Sequence, residues 1–389
     1  MSDRKPDRDM AKGLAAFELP ADLLYLNSAG QTPRLRAALA AGADALRRSA
    51  QPWRESMCDW LARPERVRTL AAALLRCKAQ ALALVPSVAY GMAVAAQQLQ
   101  PRAGQTVLAL ADEHPSGLHV WQSTPAQLRL VPRAPTVNWT DAVLAAMDDQ
   151  LAVAVVPACH WHDGSLLDLD RVAAAVQARG AALVVDATQA LGVIDLDLHA
   201  LDADFVVAAG HKWLLGAPGL AYLYVAERHR SGQPLEHSAW SRVGGLGAAI
   251  IKDGPPPLLD GAARFDGSGI YSHPALAMAE IGLAQLQDWG IAAVRDRLGC
   301  WQAELLAALS TAGLADWTVT AQAPHLSAVW APGADAAQSE ALAQALLDQG
   351  IVVAARGAGI RVSPHLHNSS ADARRLAQAL GPAWDRLRG

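Results

Sequence analysis

This sequence has few cysteines, lacks long apolar runs and has only a small net charge. The cysteines (Cys58, Cys77, Cys159 and Cys300) are scattered and form no Cys-x-x-Cys pair, which argues against a zinc site or a disulfide framework. The formal net charge of −4 argues against a basic surface for nucleic acid. The polar start lacks the apolar core of a secretion signal, and no uninterrupted apolar run has membrane-spanning length. These absences predict a cytoplasmic protein without a metal site and without nucleic-acid or membrane partners.

Apolar residues are abundant, at 52% of the 389 residues against 18% charged ones, which is typical of a folded chain with large cores. Residues 35–99, rich in Ala, Leu and Arg, are expected to form helices. Further on, short apolar runs alternate in part with helical segments, which predicts a mostly parallel sheet covered by helices. These runs cover residues 106–110, 128–131, 151–157, 181–186, 204–209 and 220–225.

A proline-rich break at 254–257 marks the expected end of this large domain. We expect a flexible lead-in over residues 1–20, a large α/β domain over 21–255 and a smaller α+β domain over 256–389. Residues 21–35 are counted with the large domain, with packing on the small domain as the alternative. The last helix is expected over 371–380.

Polar residues follow several of the apolar runs, where ligands bind in an open parallel sheet. Lys212 is either an amine for Schiff-base chemistry, a partner for phosphate or a lysine that reaches solvent. Asp186 is either a functional carboxylate or a turn residue. The turn Ser87–Gly91 leads into a helix, whose first N–H groups bind anions. Together these groups supply the amine, the acid and the phosphate cradle that pyridoxal phosphate (PLP) requires.

Nine motifs follow one another in a fixed order and spacing: YLNSAGQTP (25–33), LVPSVAYGMAVAA (84–96), DEHPSGLHVW (112–121), VVPACHWHDGSLLDL (155–169), DATQALGVIDLDL (186–198), DADFVVAAGHKWLLGAPGLAYLYV (202–225), PLEHSAWSRVGG (234–245), GAARFDGSG (261–269) and GIRVSPHLHNSSAD (359–372). They resemble the class V aminotransferase family, which includes cysteine desulfurases, kynureninases and isopenicillin-N-epimerase-like proteins. The resemblance runs from Tyr25 to the C-terminus and is greatest to poorly characterised epimerase-like members. It implies the fold of type I PLP enzymes, with a mostly parallel sheet of seven strands.

The resemblance implies PLP as the cofactor and gives the matching residues their roles around its ring. Lys212 would form the Schiff base and move the proton of the substrate α-carbon. Asp186 would bond the pyridinium nitrogen, and Gln189 would bond the ring hydroxyl. His114 would stack on the ring, and His211 would lie near the phosphate.

The resemblance also implies how the phosphate and the substrate are held. The backbone N–H groups of Val88 and Ala89 would cradle the phosphate. Arg361, with help from Asn27, would bind the α-carboxylate of an amino acid substrate. Because the family builds its sites at a homodimer interface, the turn Ser268–Gly269 would reach the phosphate of the partner subunit.

Two departures from the family pattern bear on function. Ala89, Ala209 and Gly117 stand where relatives carry side chains that help to hold the cofactor. Only four residues separate Arg356 from Arg361, and none is cysteine. The mobile loop and nucleophilic cysteine of cysteine desulfurases are therefore missing from this region, and we do not expect desulfurase activity.

The expected function is PLP-dependent chemistry at the α-carbon of an amino acid, with transamination first. β-Elimination of the C–S lyase type and epimerisation are the alternatives, because they share the first steps. A non-catalytic binding protein on the same fold is an alternative of another class, suggested by the depleted cradle. A nicotinamide-dependent oxidoreductase is disfavoured, since no Gly-x-Gly-x-x-Gly lies between a strand and a helix.

Some polar residues keep two interpretations. His160 and His162 alternate as metal ligands would, but a third ligand is not evident, which favours a cofactor-side turn or a plain loop. His365 and His367 are expected at the surface or on the substrate side. Arg356 is either a second cation on the substrate side or a surface residue.

Overall fold

Strands and helices alternate along most of the chain, as the sequence predicts. The computed structural model describes residues 15–132, 137–245, 254–268, 272–320 and 322–388. Its strands are β1 (Leu24–Tyr25), β2 (Leu82–Val85), β3 (Thr106–Leu110), β4 (Gln127–Val131), β5 (Leu151–Pro157), β6 (Ala182–Asp186), β7 (Phe205–Ala209), β8 (Ala221–Val225), β9 (Thr318–Thr320), β10 (Ser327–Trp330), β11 (Ile351–Val352), β12 (Ala354–Arg356) and β13 (Gly359–Val362).

The described helices surround these strands, and none of them combines the length and the apolar character needed to cross a membrane. They are α1 (Arg36–Ser49), α2 (Met57–Leu74), α3 (Val88–Leu99), α4 (Pro115–Gln122), α5 (Trp139–Ala146), α6 (Leu169–Gln177), α7 (Leu198–Leu201), α8 (His273–Trp289), α9 (Ile291–Thr311), α10 (Ala336–Leu347) and α11 (Ser370–Arg388). Short 3-10 turns connect several of them.

Two compact units divide the chain. The larger unit combines residues 40–158 and 167–287, and the smaller unit combines residues 1–39, 159–166 and 288–389 as far as they are described. The domain limits expected from the sequence remain predictions.

Seven of the described strands form the sheet of the larger unit, in the order β2–β8–β7–β6–β5–β3–β4. Only β8 runs antiparallel to its neighbours; the other neighbouring pairs are parallel. Apart from the edge strand β4, the strands are almost entirely buried. Helices α3 and α4 pack on the sheet with apolar side chains such as Met92 and Trp121. The predicted mostly parallel sheet of seven strands is confirmed.

Strand β2 lies within the region expected to be entirely helical. Its four residues, Leu-Ala-Leu-Val, are all fully buried and pair with β8. Leucine and alanine suit helices as well as strands, so a short apolar run does not reveal which structure it forms. The expectation of helix throughout residues 35–99 is therefore wrong at this strand.

The smaller unit contains an antiparallel sheet in the order β12–β13–β10–β9 and the short parallel pair β1–β11. Helices α9, α10 and α11 contribute to its apolar core with residues such as Trp301, Leu342 and Leu376. This mixture is the α+β arrangement predicted for the C-terminal part. The last helix does not end before Pro382, because the buried side chains of Ala383 and Trp384 continue to pack on the core. Their burial outweighs the cost of proline inside a helix, about 3 kcal/mol.

Close backbone contacts fix the loop that follows β7. Gly192 has a φ of +103°, and a Cβ there would lie 2.3 Å from the carbonyl oxygen of Trp213. Helix α8 lies against the same loop, since a Cβ on Gly282 would lie 2.7 Å from the carbonyl oxygen of Leu215. Glycine at these two positions lets neighbouring backbones touch the segment that carries Lys212.

Substitution of Gly192 therefore tests the packing of this loop. Gly104 is the matched control, because it has a φ of +85° but open space around it. We expect Gly104→Ala to lower the free energy of unfolding by about 1–2 kcal/mol through its backbone angle alone. Gly192→Ala should cost about 1–3 kcal/mol more, because the Trp213 backbone must move. Equal losses in urea denaturation of the two variants would contradict this account.

Candidate active site

The carboxyl ends of the parallel strands bring several predicted site residues to one edge of the larger unit. Asp186 is the last residue of β6 and pairs with Pro157 of β5 and Val207 of β7. Lys212 lies in the turn that follows β7 and is partly buried. Since parallel neighbours end at the same edge, sheet pairing itself places the carboxylate and the lysine on one rim.

Two hydrogen bonds tie the loop after β6 to the end of β7. The backbone N–H of Ala209 donates to Oγ1 of Thr188 at 3.2 Å. Nε1 of Trp213, next to Lys212, donates to Oε1 of Gln189 at 2.7 Å. The Gln189 and Trp213 side chains are buried, so these bonds hold the two loops together away from water.

Asp186 keeps one carboxylate oxygen available. Its Oδ1 accepts a hydrogen bond from the N–H of Thr188 at 2.8 Å, and within the described part of the chain its Oδ2 has no partner. The residue is 9% exposed. A buried carboxylate oxygen of this kind suits a charged N–H donor such as a pyridinium.

Glu113 is close enough to Asp186 and Lys212 for their charges to affect its carboxyl group. The sequence points instead to its neighbour His114. Burial, and next the negative charge of Asp186, raise the pKa of the Glu113 carboxyl to about 8, although the hydrogen bond from His114 and the positive charge of Lys212 act in the opposite direction. Its Oε1 accepts a hydrogen bond from the N–H of His114 at 2.6 Å. Its Oε2 is buried and has no hydrogen-bond partner among the described residues. A protonated Glu113 relieves the repulsion from Asp186.

The predicted aromatic residue His114 caps helix α4. Its Nδ1 accepts a hydrogen bond from the N–H of Ser116 at 3.3 Å, and Pro115 occupies the first helical position, where no N–H is needed. His211 lies in the turn beside Lys212 and is partly buried.

The predicted phosphate cradle lies at the start of helix α3, after β2. Ser87 caps the helix by accepting a hydrogen bond from the N–H of Tyr90 at 3.1 Å. The N–H groups of Val88 and Ala89 donate to no acceptor among the residues that the structure describes. Free N–H groups at a helix start bind phosphate through hydrogen bonds and the helix dipole.

The predicted turn Ser268–Gly269 is described only in part. The N–H and the hydroxyl of Ser268 both donate to the carboxylate of Glu236. Gly269 lies outside the described residues.

The predicted carboxylate-binding residues Arg361 and Asn27 meet in the smaller unit. Nη2 of Arg361 donates to Oδ1 of Asn27 at 3.1 Å, and its Nη1 donates to the carbonyl of Trp161 at 2.8 Å. Arg361 is 1% exposed. Burial, with repulsion from Arg356, lowers the pKa of its guanidinium to about 9. A buried arginine whose donors meet only neutral oxygens is prepared to bind an anion.

Other histidines of the smaller unit are buried and contact neighbouring side chains. His160 and Asp163 are fully buried and form a hydrogen bond of 3.0 Å. His365 and His367 are 1% and 4% exposed and pack against Phe17, so their expected place at the surface is wrong. In the ranges that the structure describes, no group of three or more His, Cys, Asp or Glu side chains is arranged to hold a metal ion.

A family profile described as "Aminotransferase class-V" matches residues 24–375. The chain belongs to the class V aminotransferase family. Its resemblance to this family is thereby confirmed, and so is the predicted cofactor, because class V aminotransferases use PLP. The free oxygen of Asp186 and the free N–H groups of Val88 and Ala89 fit the ring nitrogen and the phosphate of that cofactor.

Two curated relatives show how far the similarity extends. The chain is 26% identical over 336 residues to "Uncharacterized aminotransferase YcbU" of Bacillus subtilis, which covers 85% of each chain. It is 32% identical over 243 residues to the kynureninase of Deinococcus radiodurans, covering 59% of this chain and 58% of that protein. The match to the kynureninase thus spans less than two thirds of either chain.

Solved structures confirm the fold. The cysteine desulfurase CsdA of Escherichia coli matches with a TM-score of 0.80 at 19% identity, over 97% of this chain and 98% of that one. A variant of C-DES with glycine covalently linked to its PLP cofactor matches with a TM-score of 0.82 at 22% identity, over 97% and 99%. Together with the family match, this likeness establishes the fold of type I PLP enzymes.

The raised pKa of Glu113 makes stability depend on pH. The folded chain holds this proton up to about pH 8, whereas the unfolded chain releases it near the ordinary pKa of 4.5. The folded state therefore binds more protons within this window, and its stability falls as pH rises from 5 to 9. We expect the free energy of unfolding of the wild type to decrease over this range by an amount on the order of a few kcal/mol. Because glutamine cannot ionise, the decrease should be absent in Glu113→Gln.

Denaturation of the cofactor-free protein at several pH values measures this effect. Glu227→Gln, at an exposed glutamate, is the matched control and should follow the wild type. Parallel stability curves for the wild type and Glu113→Gln would show that Glu113 ionises normally.

Proposed function

We propose that this class V aminotransferase acts at the α-carbon of an amino acid, with the amine of Lys212 as the group that binds the cofactor. Transamination is the proposed reaction. The observation that carries the proposal is the common edge of the sheet, where Asp186 and Lys212 both act electrostatically on Glu113. A lysine and two carboxyl groups near the carboxyl ends of parallel strands support a reactive site.

Different residues at this edge of the sheet would bind different parts of PLP. Asp186 would accept the ring N–H with its free oxygen, and Gln189 would bond the ring hydroxyl. His114 would lie on the ring, and His211 would bind the phosphate together with the N–H groups at the start of α3. When bound, PLP withdraws electrons from the α-carbon of the amino acid.

Lys212 would then take the proton from the α-carbon with its Nζ and return a proton later. This task requires a neutral amine at neutral pH, and burial in general lowers the pKa of a lysine amine. The neutral form of Glu113 fits this requirement, because a second negative charge beside Asp186 would favour the protonated amine.

Arg361 and Asn27 would bind the α-carboxylate of the substrate. Two oxygens of a carboxylate match the parallel donors of a guanidinium, and the buried Nε of Arg361 has no partner among the described residues.

We also propose that the chain is not a cysteine desulfurase with a catalytic loop cysteine. Arg356 pairs with Gly359, so only Gly357 and Ala358 connect β12 to β13. A two-residue turn leaves no length for a mobile loop. β-Elimination of the C–S lyase type and epimerisation remain the alternatives, because each begins with the same proton transfer. A non-catalytic binding protein is disfavoured by the free donors and the free acceptor that fit PLP.

A homodimer is the proposed assembly, and the cytoplasm the proposed location. Exposed apolar side chains of the larger unit support the dimer, namely Leu46, Trp53, Met57 and Val243, with Trp53 at 77% exposure. Exposed apolar side chains of this size support an association site. Ser268 and Gly269 would then serve the partner subunit.

Lys212→Ala tests the proposed role of the lysine. The wild type should turn yellow when PLP is added, and this visible absorbance should be perturbed by one class of amino acid. Lys212→Ala should lose the absorbance and at least about 10³-fold in turnover, because the proton carrier is missing. Lys78→Ala, at an exposed lysine, is the matched control and should behave as the wild type. Full turnover in Lys212→Ala would contradict the proposal.

Product analysis separates the three reactions. Transamination predicts a keto acid and the pyridoxamine form of the cofactor. Ammonia and a keto acid without conversion of the cofactor would instead indicate elimination. Loss of α-deuterium from a retained amino acid would indicate epimerisation.

Light scattering tests the assembly. We expect twice the chain mass of 40.9 kDa for the wild type. Trp53→Glu should shift the protein toward the monomer if Trp53 is buried in the dimer, because a charge is costly to bury in an apolar contact. A fully active monomer would contradict the shared site.

A further inference from the structure

The hairpin β12–β13 carries two arginines on one face. Ala354 pairs with Arg361, and Arg356 pairs with Gly359. Because side chains alternate along a strand, Arg356 and Arg361 point to the same side as diagonal neighbours, with Cβ atoms roughly 7–8 Å apart. The opposite side of the sheet contributes Ile360 to the core of the smaller unit. The two cations therefore share a surface that faces away from that core.

Neither arginine forms an ion pair among the residues that the structure describes. Arg361 donates to the carbonyl of Trp161 and the amide of Asn27. Arg356 donates to the carbonyl of Ala355, and its guanidinium lies 5.5 Å from the centre of the Trp161 ring. In each arginine the Nε atom is buried without a hydrogen-bond partner.

The pKa values of both arginines are lowered, which shows that their charged forms are destabilised here. Burial lowers the pKa of Arg356, and burial together with repulsion from Arg356 lowers the pKa of Arg361. A chain gains nothing in stability from two neighbouring cations that lack counter-ions, since unpaired buried charge is expensive. A ligand that carries negative charge would compensate the two cations and would account for their proximity.

Small side chains flank Arg361 across the sheet, namely Ala354 on one side and Ala328 on the other. Neither alanine can pair with a guanidinium, so the adjacent strands offer no side chain that competes with a ligand. The ring of Trp161 lies against Arg356 in a cation–π contact, which uses the face of a guanidinium and not its N–H edge.

We propose that Arg356 binds a second anionic group of the substrate, so that the preferred substrates are amino acids with an acidic side chain. This inference rests on the proposed function, in which Arg361 binds the α-carboxylate. One carboxylate neutralises one arginine and leaves the other uncompensated. A substrate with two anionic groups neutralises both and removes their mutual repulsion.

Matched pairs of amino acids test the proposal on the PLP-loaded enzyme. Aspartate is compared with asparagine and glutamate with glutamine, by titration of the visible absorbance. The acidic member of at least one pair should bind about 10- to 100-fold more tightly, which is the worth of one charge-assisted hydrogen-bond contact. Arg356→Met should reduce that preference at least tenfold, and Arg356→Lys should retain part of it. Arg374→Met, at an exposed arginine of α11, is the control and should keep the full preference.

Binding without reaction provides the second readout. Calorimetry of the loaded enzyme with succinate and with its mono-amide, succinamate, should show tighter binding of the dianion, lost in Arg356→Met. Equal affinities within each pair, or equal weakening of both members by Arg356→Met, would overturn the proposal and leave Arg356 as a structural residue. If no amino acid perturbs the absorbance, the proposed function fails, and the comparison of succinate with succinamate still decides the role of Arg356.

Discussion

Parallel pairing between β6 and β7 is the constraint on which the candidate site depends. It ends the two strands at one edge and so places the carboxylate of Asp186 beside the turn that carries Lys212. The hydrogen bonds from Ala209 to Thr188 and from Trp213 to Gln189 then join the two loops. These bonds therefore help to fix the position of the turn that carries Lys212.

Each unit contains a buried titratable group close to a group of like charge, an arrangement that is frequent at functional sites. At the edge of the larger unit, Glu113 stays protonated in neutral solution because it is buried and faces Asp186. In the smaller unit, Arg356 and Arg361 repel each other and have no counter-ion among the described residues. Stability alone favours paired charges, so these exceptions support the two proposed binding sites.

Much of the fold, and the positions of Asp186 and Lys212 in the candidate site, can be predicted from the sequence. These predictions use only local patterns of apolar and polar residues. Apolar runs with polar ends mark β6 and β7, and the strand-end rule then selects Asp186 and Lys212. The rest depends on contacts distant in sequence. The four residues of β2 suit helix and strand equally, and only pairing with β8 decides. Glu113 is indistinguishable from an exposed glutamate until its burial is known, and α11 passes Pro382 because Trp384 packs on the core.

Chemical trapping of the cofactor identifies the lysine that binds it. The protein is incubated with PLP, reduced with borohydride and digested, and the peptides are examined by mass spectrometry. We expect one pyridoxyl group per chain, on the peptide that contains Lys212. Modification spread over other lysines, or an unmodified Lys212 peptide, would contradict the assignment of this edge as the cofactor site.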